Sequence, residues 1–256
     1  PGALRWALNI NTLLKYESYI DKNADPVAGT WVLDIITFKI SQKVWEQFKS
    51  FNHDIIWTDT GFLQGFNQRI EHNAQLELSQ LNTRKKWMVG VNNYPNNKDF
   101  PNPLVNDFVP LSWHFEKYKC LFKEQVLSRK GKNKIALIQS GDLNMSIARA
   151  GFIRNLFGIA GFDFIDLGHM NQLNEEIIEK NFSESDIWAF CGSDQDYLTM
   201  IKNCKNALDK KYIIIAGKTD ELKEQLKNEP VNLMLNAKDE IISVLEGLLK
   251  DLKNNE

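Results

Sequence analysis

The side chains able to do chemistry in this chain are few and dispersed. A short apolar run, Ile135 to Ile138, is followed by Gly141 and then by Leu143, Asn144 and Met145. In open α/β sheets ligands sit beyond the carboxyl ends of strands, so this loop is where a cofactor or substrate would be sought. It offers no histidine, no phosphate-cradling glycine pattern and no acid–base pair. Met145 is a soft thioether without a supporting partner and reads as a packing residue at the sheet edge, not a metal ligand. Asp142, Asp194 and Asp196 could be gathered into a metal or acid–base cluster, but aspartates at strand ends commonly cap helices. Ser193 has no partnered base. His53, His72, His114 and His169 are scattered; His169 follows a predicted strand and reads as a solvated loop residue. Cys120, Cys191 and Cys204 show no close-spaced metal pattern and read as reduced thiols. No catalytic, cofactor-binding or metal-ligating residue is therefore assigned.

The elements that would position these groups are plainer. From Lys134 onward, apolar runs at 134–139, 162–167, 186–192, 211–217 and 231–236 read as strands. Helical patterns follow at 144–158, 171–180, 195–209, 219–228 and 238–252. Strand–helix alternation repeated five times predicts a parallel sheet covered on both faces, with a flavodoxin-like order. Within the helix after the first strand, Arg149 and Arg154 are available for an interface. Before Lys134 the pattern is mixed. Leu4 to Tyr16 and Phe62 to Leu81 read as helices. Trp31 to Ile36 and Trp87 to Val91 read as strands, and Thr37 as the cap of a helix bearing Ile40, Val44, Trp45 and Phe48 on one face. Pro95, Pro101, Pro103 and Pro110 are four of the seven prolines and mark a connector, after which Phe115 to Ser128 reads as a bridging helix. Three parts result: 1–94, a linker over 95–133, and 134–256.

The chain has 256 residues, 43% hydrophobic and 25% charged, with a net charge of −2. This is ordinary globular composition, and it argues against nucleic acid or an anionic membrane as partner. No apolar run is long enough to span a bilayer, and a cytoplasmic location is expected. Trp6, Trp31, Trp45, Trp57, Trp87, Trp113 and Trp188 are many for one chain. Core packing accounts for most of them; an exposed subset would mark a subunit interface.

Several dispersed segments, in order, resemble the methylmalonyl-CoA mutase family. Arg5 to Ser18, RWALNINTLLKYES, is similar to its R-x-x-x-N…E-S helix. Asp25 to Trp31, DPVAGTW, is similar to its D-P-x-G-G-S-aromatic loop, and Ile40 to Trp45 to its Ala-x-x-x-W helix pattern. Gly90 to Tyr94, GVNNY, resembles its G-V-N-x-Tyr/Phe segment. The resemblance implies the C-terminal part of a (β/α)8 barrel over 1–94, then a degenerate cobalamin-binding-like domain over 134–256. A whole barrel needs about 250 residues, so only its last repeats fit.

The departures carry the functional expectation. The family's cobalamin domain has D-x-H-x-x-G after its first strand, where the histidine is the lower cobalt ligand, the aspartate orients it and the glycine admits the nucleotide tail. Aligned from Gly141, these positions are Leu143, Met145 and Ala148. Ser193 stands where the family has a serine, and Ala216–Gly217–Lys218 where it has paired glycines. Arg149 to Asp163, RAGFIRNLFGIAGFD, and DIWAFCGSDQDY resemble the non-catalytic small subunit of heterodimeric mutases more closely still. The resemblance implies a fragment of such a subunit that binds no cofactor itself. It would support a large catalytic subunit holding adenosylcobalamin and the acyl-CoA, and interconverting methylmalonyl-CoA and succinyl-CoA. The alternative is a mutase domain that binds cobalamin or another small molecule through an atypical ligand loop.

Overall fold

The computed structural model describes residues 2–25, 27–50, 60–98, 109–124, 133–217 and 219–254. Expectations placed on 51–59, 99–108 and 125–132 lie outside them, including those on His53, Trp57 and most of the connector. The chain divides into two compact units, residues 1–69 and 70–256.

The first unit is helical in its described residues: α1 (Gly2–Tyr16), a 3-10 turn at Ile20–Lys22, α2 (Trp31–Lys49) and the start of α3 (Thr60–Asn82). The turn before α2 is built as the sequence suggests, with Asp25 Oδ1 accepting from Val27 N at 3.0 Å and Gly29 at φ 80°. The strand expected at Trp31 to Ile36 is instead the first turns of α2. A short apolar run is ambiguous between strand and buried helix. Here Phe38, Ile40, Val44, Trp45 and Phe48 continue it at helical spacing, and a helix satisfies its own backbone where no neighbouring strand is available. Thr37 thus lies inside the helix and caps nothing. Tryptophan packing also departs from expectation: Trp6 is 74% exposed and Trp31 71%, while among the described tryptophans only Trp188 is fully buried.

The second unit contains the rest of α3, α4 (Trp113–Phe122) and an α/β array. Five strands, β1 (Lys134–Gln139), β2 (Asp163–His169), β3 (Ile187–Cys191), β4 (Tyr212–Ile215) and β5 (Leu233–Met234), pair in parallel in the order β2-β1-β3-β4-β5. Between them run α5 (Leu143–Gly158), α6 (Glu175–Phe182), α7 (Tyr197–Lys202) and α8 (Asp220–Gln225), and α9 (Ile241–Asn254) closes the array. This is the expected flavodoxin-like sheet. Successive side chains leave opposite faces of a strand. Ile135, Leu137, Ala189 and Ile214 therefore meet Phe115, Phe122, Phe157 and Leu245 on one side. Ile138, Trp188, Phe190 and Ile213 meet Ile178, Phe182, Tyr197 and Met200 on the other. The helix expected at 195–209 is broken into α7 and a 3-10 turn, Lys205–Leu208.

The second N-terminal strand, expected at Trp87 to Val91, is a turn with a single bridge between Val89 and Asn93. Asn92 explains it. Its buried side chain accepts from Met88 N at 2.7 Å and donates to Leu81 O and Lys86 O at 2.9 and 3.0 Å. These bonds take the place of a strand ladder, and Gly90 adopts φ 85° to close the turn. Asn155 of α5 then holds the turn through Tyr94 N and Asn93 Oδ1.

Phe157 is fully buried and meets Phe162 edge-on at 6.1 Å. Phe157→Ala is expected to lower stability by about 3–5 kcal/mol in denaturant unfolding. A loss below about 1 kcal/mol would mean that this face of the sheet is not close-packed.

Candidate functional site

In the order β2-β1-β3 the chain is wound to opposite sides of β1, which leaves a crevice beyond the ends of β1 and β3. A cleft of about 570 Å³ lies there, floored by Ser140 and Gly141 and walled by His169 and residues 171–174 on one side and by Asp196, Thr199 and Asn203 on the other.

The loops around the cleft are fixed by aspartates. Asp142 caps α5, accepting from Met145 N at 2.8 Å. Asp196 does not cap its own helix. Its Oδ2 accepts from Ser193 N at 2.8 Å, Ser193 Oγ at 2.6 Å and Asp142 N at 3.2 Å, joining the loops after β1 and β3. Burial opposes the charge on Asp196, but the hydrogen bonds from Ser193 and Asp142, with Arg149 near by, outweigh it and hold the carboxyl below its usual range. Gly141 is required at this junction. It sits at φ 83°, and a Cβ there would lie 2.0 Å from Asp196 Oδ2.

Asp194 belongs to a separate network. Arg149 reaches from α5 across the end of β3, donating to Gly192 O at 2.6 Å, Tyr197 Oη at 2.9 Å and Asp194 Oδ1 at 2.6 Å. Tyr197 donates onward to Ala216 O at 2.8 Å, and Thr219 Oγ1 meets Asp194 Oδ2 at 3.3 Å. Burial pushes the Tyr197 hydroxyl well above its usual range, so it is a neutral donor and acceptor here. Arg154 likewise pairs with Asp166. The two arginines available for an interface thus also make ion pairs within the chain.

Of the other candidates, Met145 and Ala148 are exposed on α5 rather than packed on the sheet edge. Ser193 serves Asp196. Cys191 and Cys204 are buried, and burial pushes both thiols up to about 12. His169 is not simply solvated: its Nδ1 lies 3.0 Å from Ser146 Oγ. Sequence reasoning missed this pair, since 23 residues separate its members and only the pairing of β1 with β2 brings them together. Among the described residues no group of three or more His, Cys, Asp or Glu side chains is gathered for a metal ion.

Sequence comparison puts this geometry in context. Residues 2–121 match the family described as methylmalonyl-CoA mutase. The chain is 24% identical over 75% of its length to the methylmalonyl-CoA mutase small subunit of Porphyromonas gingivalis, covering 33% of that protein. It is 23% identical over 98% of its length to the probable methylmalonyl-CoA mutase small subunits of Mycobacterium tuberculosis and Mycobacterium bovis, covering 41% of each. The match to the family description covers just under half of the chain. The chain is similar to proteins named methylmalonyl-CoA mutase small subunits, and it spans between a third and about two fifths of their length.

The residues do not fit a corrin seated as the family motif requires. Leu143 and Met145 supply neither an imidazole nor a group to orient one. The cradle at the paired-glycine position is occupied: a Cβ on Gly217 would already lie 3.0 Å from Asp194 Oδ1 and 3.2 Å from Tyr197 Cε2. Arg149, Asp194 and Tyr197 fill the space beside the strand ends.

Two outcomes follow. Arg149→Met leaves Asp194 and Gly192 O without their donor and is expected to cost about 1–3 kcal/mol in urea unfolding. A neutral result would show the bridge to be incidental. For Asp196, a carboxyl held low in the folded state stabilises above the unfolded value of about 4 and loses that contribution as pH falls below it. Asp196→Asn should therefore show a flatter loss of stability between about pH 4 and pH 2 than the parent chain; parallel curves would contradict the assignment.

Proposed function

We propose that this chain is a non-catalytic, small-subunit-type component of an adenosylcobalamin-dependent acyl-CoA mutase, supporting a large subunit that interconverts methylmalonyl-CoA and succinyl-CoA. The observation that carries the reading is the carboxyl edge of the sheet. The ligand positions hold Leu143, Met145 and Ala148, and the neighbouring space is closed by Arg149, Asp194 and Tyr197. Radical chemistry is the cofactor's own, and a subunit without the cofactor contributes shape and stability. Partnership is supported by the first unit, where Trp6, Trp31 and Trp45 are exposed at 74%, 71% and 58%. Large exposed aromatics grouped on apolar helices are characteristic of interfaces. Among the described residues no helix is long and apolar enough to cross a membrane, and a cytoplasmic complex accords with three free cysteines.

Two measurements test this. Hydroxocobalamin titrated into the chain should keep its visible spectrum; a base-off spectrum with a new axial ligand would overturn the assignment. Mixed with a cobalamin-loaded large mutase subunit, the chain should co-elute on size exclusion. Separate elution at micromolar concentrations would remove the partnership.

A further inference from the structure

We propose that the cleft between His169 and Asp196 binds a small, uncharged, hydroxyl-rich molecule: a free sugar, or the ribose of a nucleoside.

The argument begins with a proton count. Ser146 Oγ donates its one hydrogen to Leu143 O at 2.9 Å. With the hydroxyl hydrogen so used, the contact between Ser146 Oγ and His169 Nδ1 at 3.0 Å is donated by the ring. His169 is protonated on Nδ1, and in the neutral ring Nε2 is an acceptor, with no protein hydrogen bond among the described residues. The buried Ser146 hydroxyl fixes the ring as a carbonyl or carboxylate does in other oriented histidines. On the facing wall, Asp196 uses only Oδ2 for its three protein hydrogen bonds and leaves Oδ1 as a second acceptor.

Between these acceptors stand groups that both donate and accept. Asn171, Gln172 and Asn203 line the cleft with primary amides, and Thr199 with a hydroxyl. None of these side chains is hydrogen-bonded to protein among the described residues. A hydroxyl group also donates and accepts, so a polyol can use both functions of each amide, whereas an ammonium ion would use only the acceptors. No lysine or arginine lines the cleft, and Asp196 is held ionised, which disfavours phosphates and carboxylates.

The walls are held apart before any ligand arrives. Ser140 Oγ donates to Met170 O at 3.0 Å, and Met170 N to Gln139 O at 2.9 Å. At the far end, Glu175 accepts from Asn206 N at 2.9 Å and Asn206 Nδ2 at 3.0 Å. A preformed cleft of about 570 Å³ is within the usual range for a small ligand.

The experiment is a ¹⁵N–¹H titration of the full chain, following the side-chain amides of Gln172 and Asn203 and the His169 ring, with D-ribose, adenosine and inorganic phosphate added separately. Saturable shifts at these signals with ribose and adenosine alike assign a sugar site; saturation by adenosine alone assigns a nucleoside site. His169→Ala combined with Gln172→Leu should weaken the saturating ligand at least about tenfold, the loss of one to two hydrogen bonds, with backbone signals elsewhere unmoved. The proposal is overturned if neither sugar nor adenosine saturates by about 10 mM. It is equally overturned if phosphate binds as tightly, or if the double variant binds unchanged. The result does not depend on the cobalamin titration, since His169 and Gln172 lie outside the positions of the corrin motif.

Discussion

A parallel sheet ends in a row of carbonyls and loop amides that must be satisfied by something, and at the carboxyl edge of this sheet the chain satisfies them itself. Arg149 takes Gly192 O, Tyr197 takes Ala216 O, and Asp196 takes amides from two loops. Buried and half-buried polar groups cost most when left unpaired, so each bond both stabilises and occupies. Because the guanidinium is a rigid fork with several donors, one residue on α5 can hold the ends of β3 and the loop beyond it in register. The space a bound group would need beside Gly217 is therefore part of the protein's own structure.

The site and the core are separate problems. Ile135, Leu137, Trp188 and Ile214 pack against their helices whatever the loops carry. Function belongs to loops set on a rigid frame. Leu143, Met145 and Ala148 stand on the loop and helix after β1, outside the packed faces of the sheet. At the strand ends lies an amide-lined cleft that also carries Asp196, and its oriented imidazole comes from the end of β2 instead of the loop after β1.

The first unit poses the opposite situation. α1 and α2 carry Leu4, Trp6, Leu8, Trp31, Ile35, Phe38 and Trp45 in exposed positions. A helix with apolar residues around most of its circumference is stable in water only with neighbours on several sides.

The five strands of the second unit and their order were legible because buried parallel strands are short apolar runs separated by helices, a signal local to each run. The residue types that stand after β1 were equally legible, being a property of the chain itself. Residues 31–36 and 87–91 misled because an apolar run has the same composition in a strand or a helix, and because the Asn92 hydrogen bonds that turn the chain are invisible to periodicity. The sequence by itself therefore determined the layered α/β core and the residue types on the loop after β1. Tertiary structure alone decided that Arg149 meets Asp194 and Tyr197, that Asp196 joins two loops, and that His169 is held by Ser146. The physical reason is that each of these bonds spans separate strand ends, and only the parallel pairing of the sheet brings those ends within hydrogen-bonding distance.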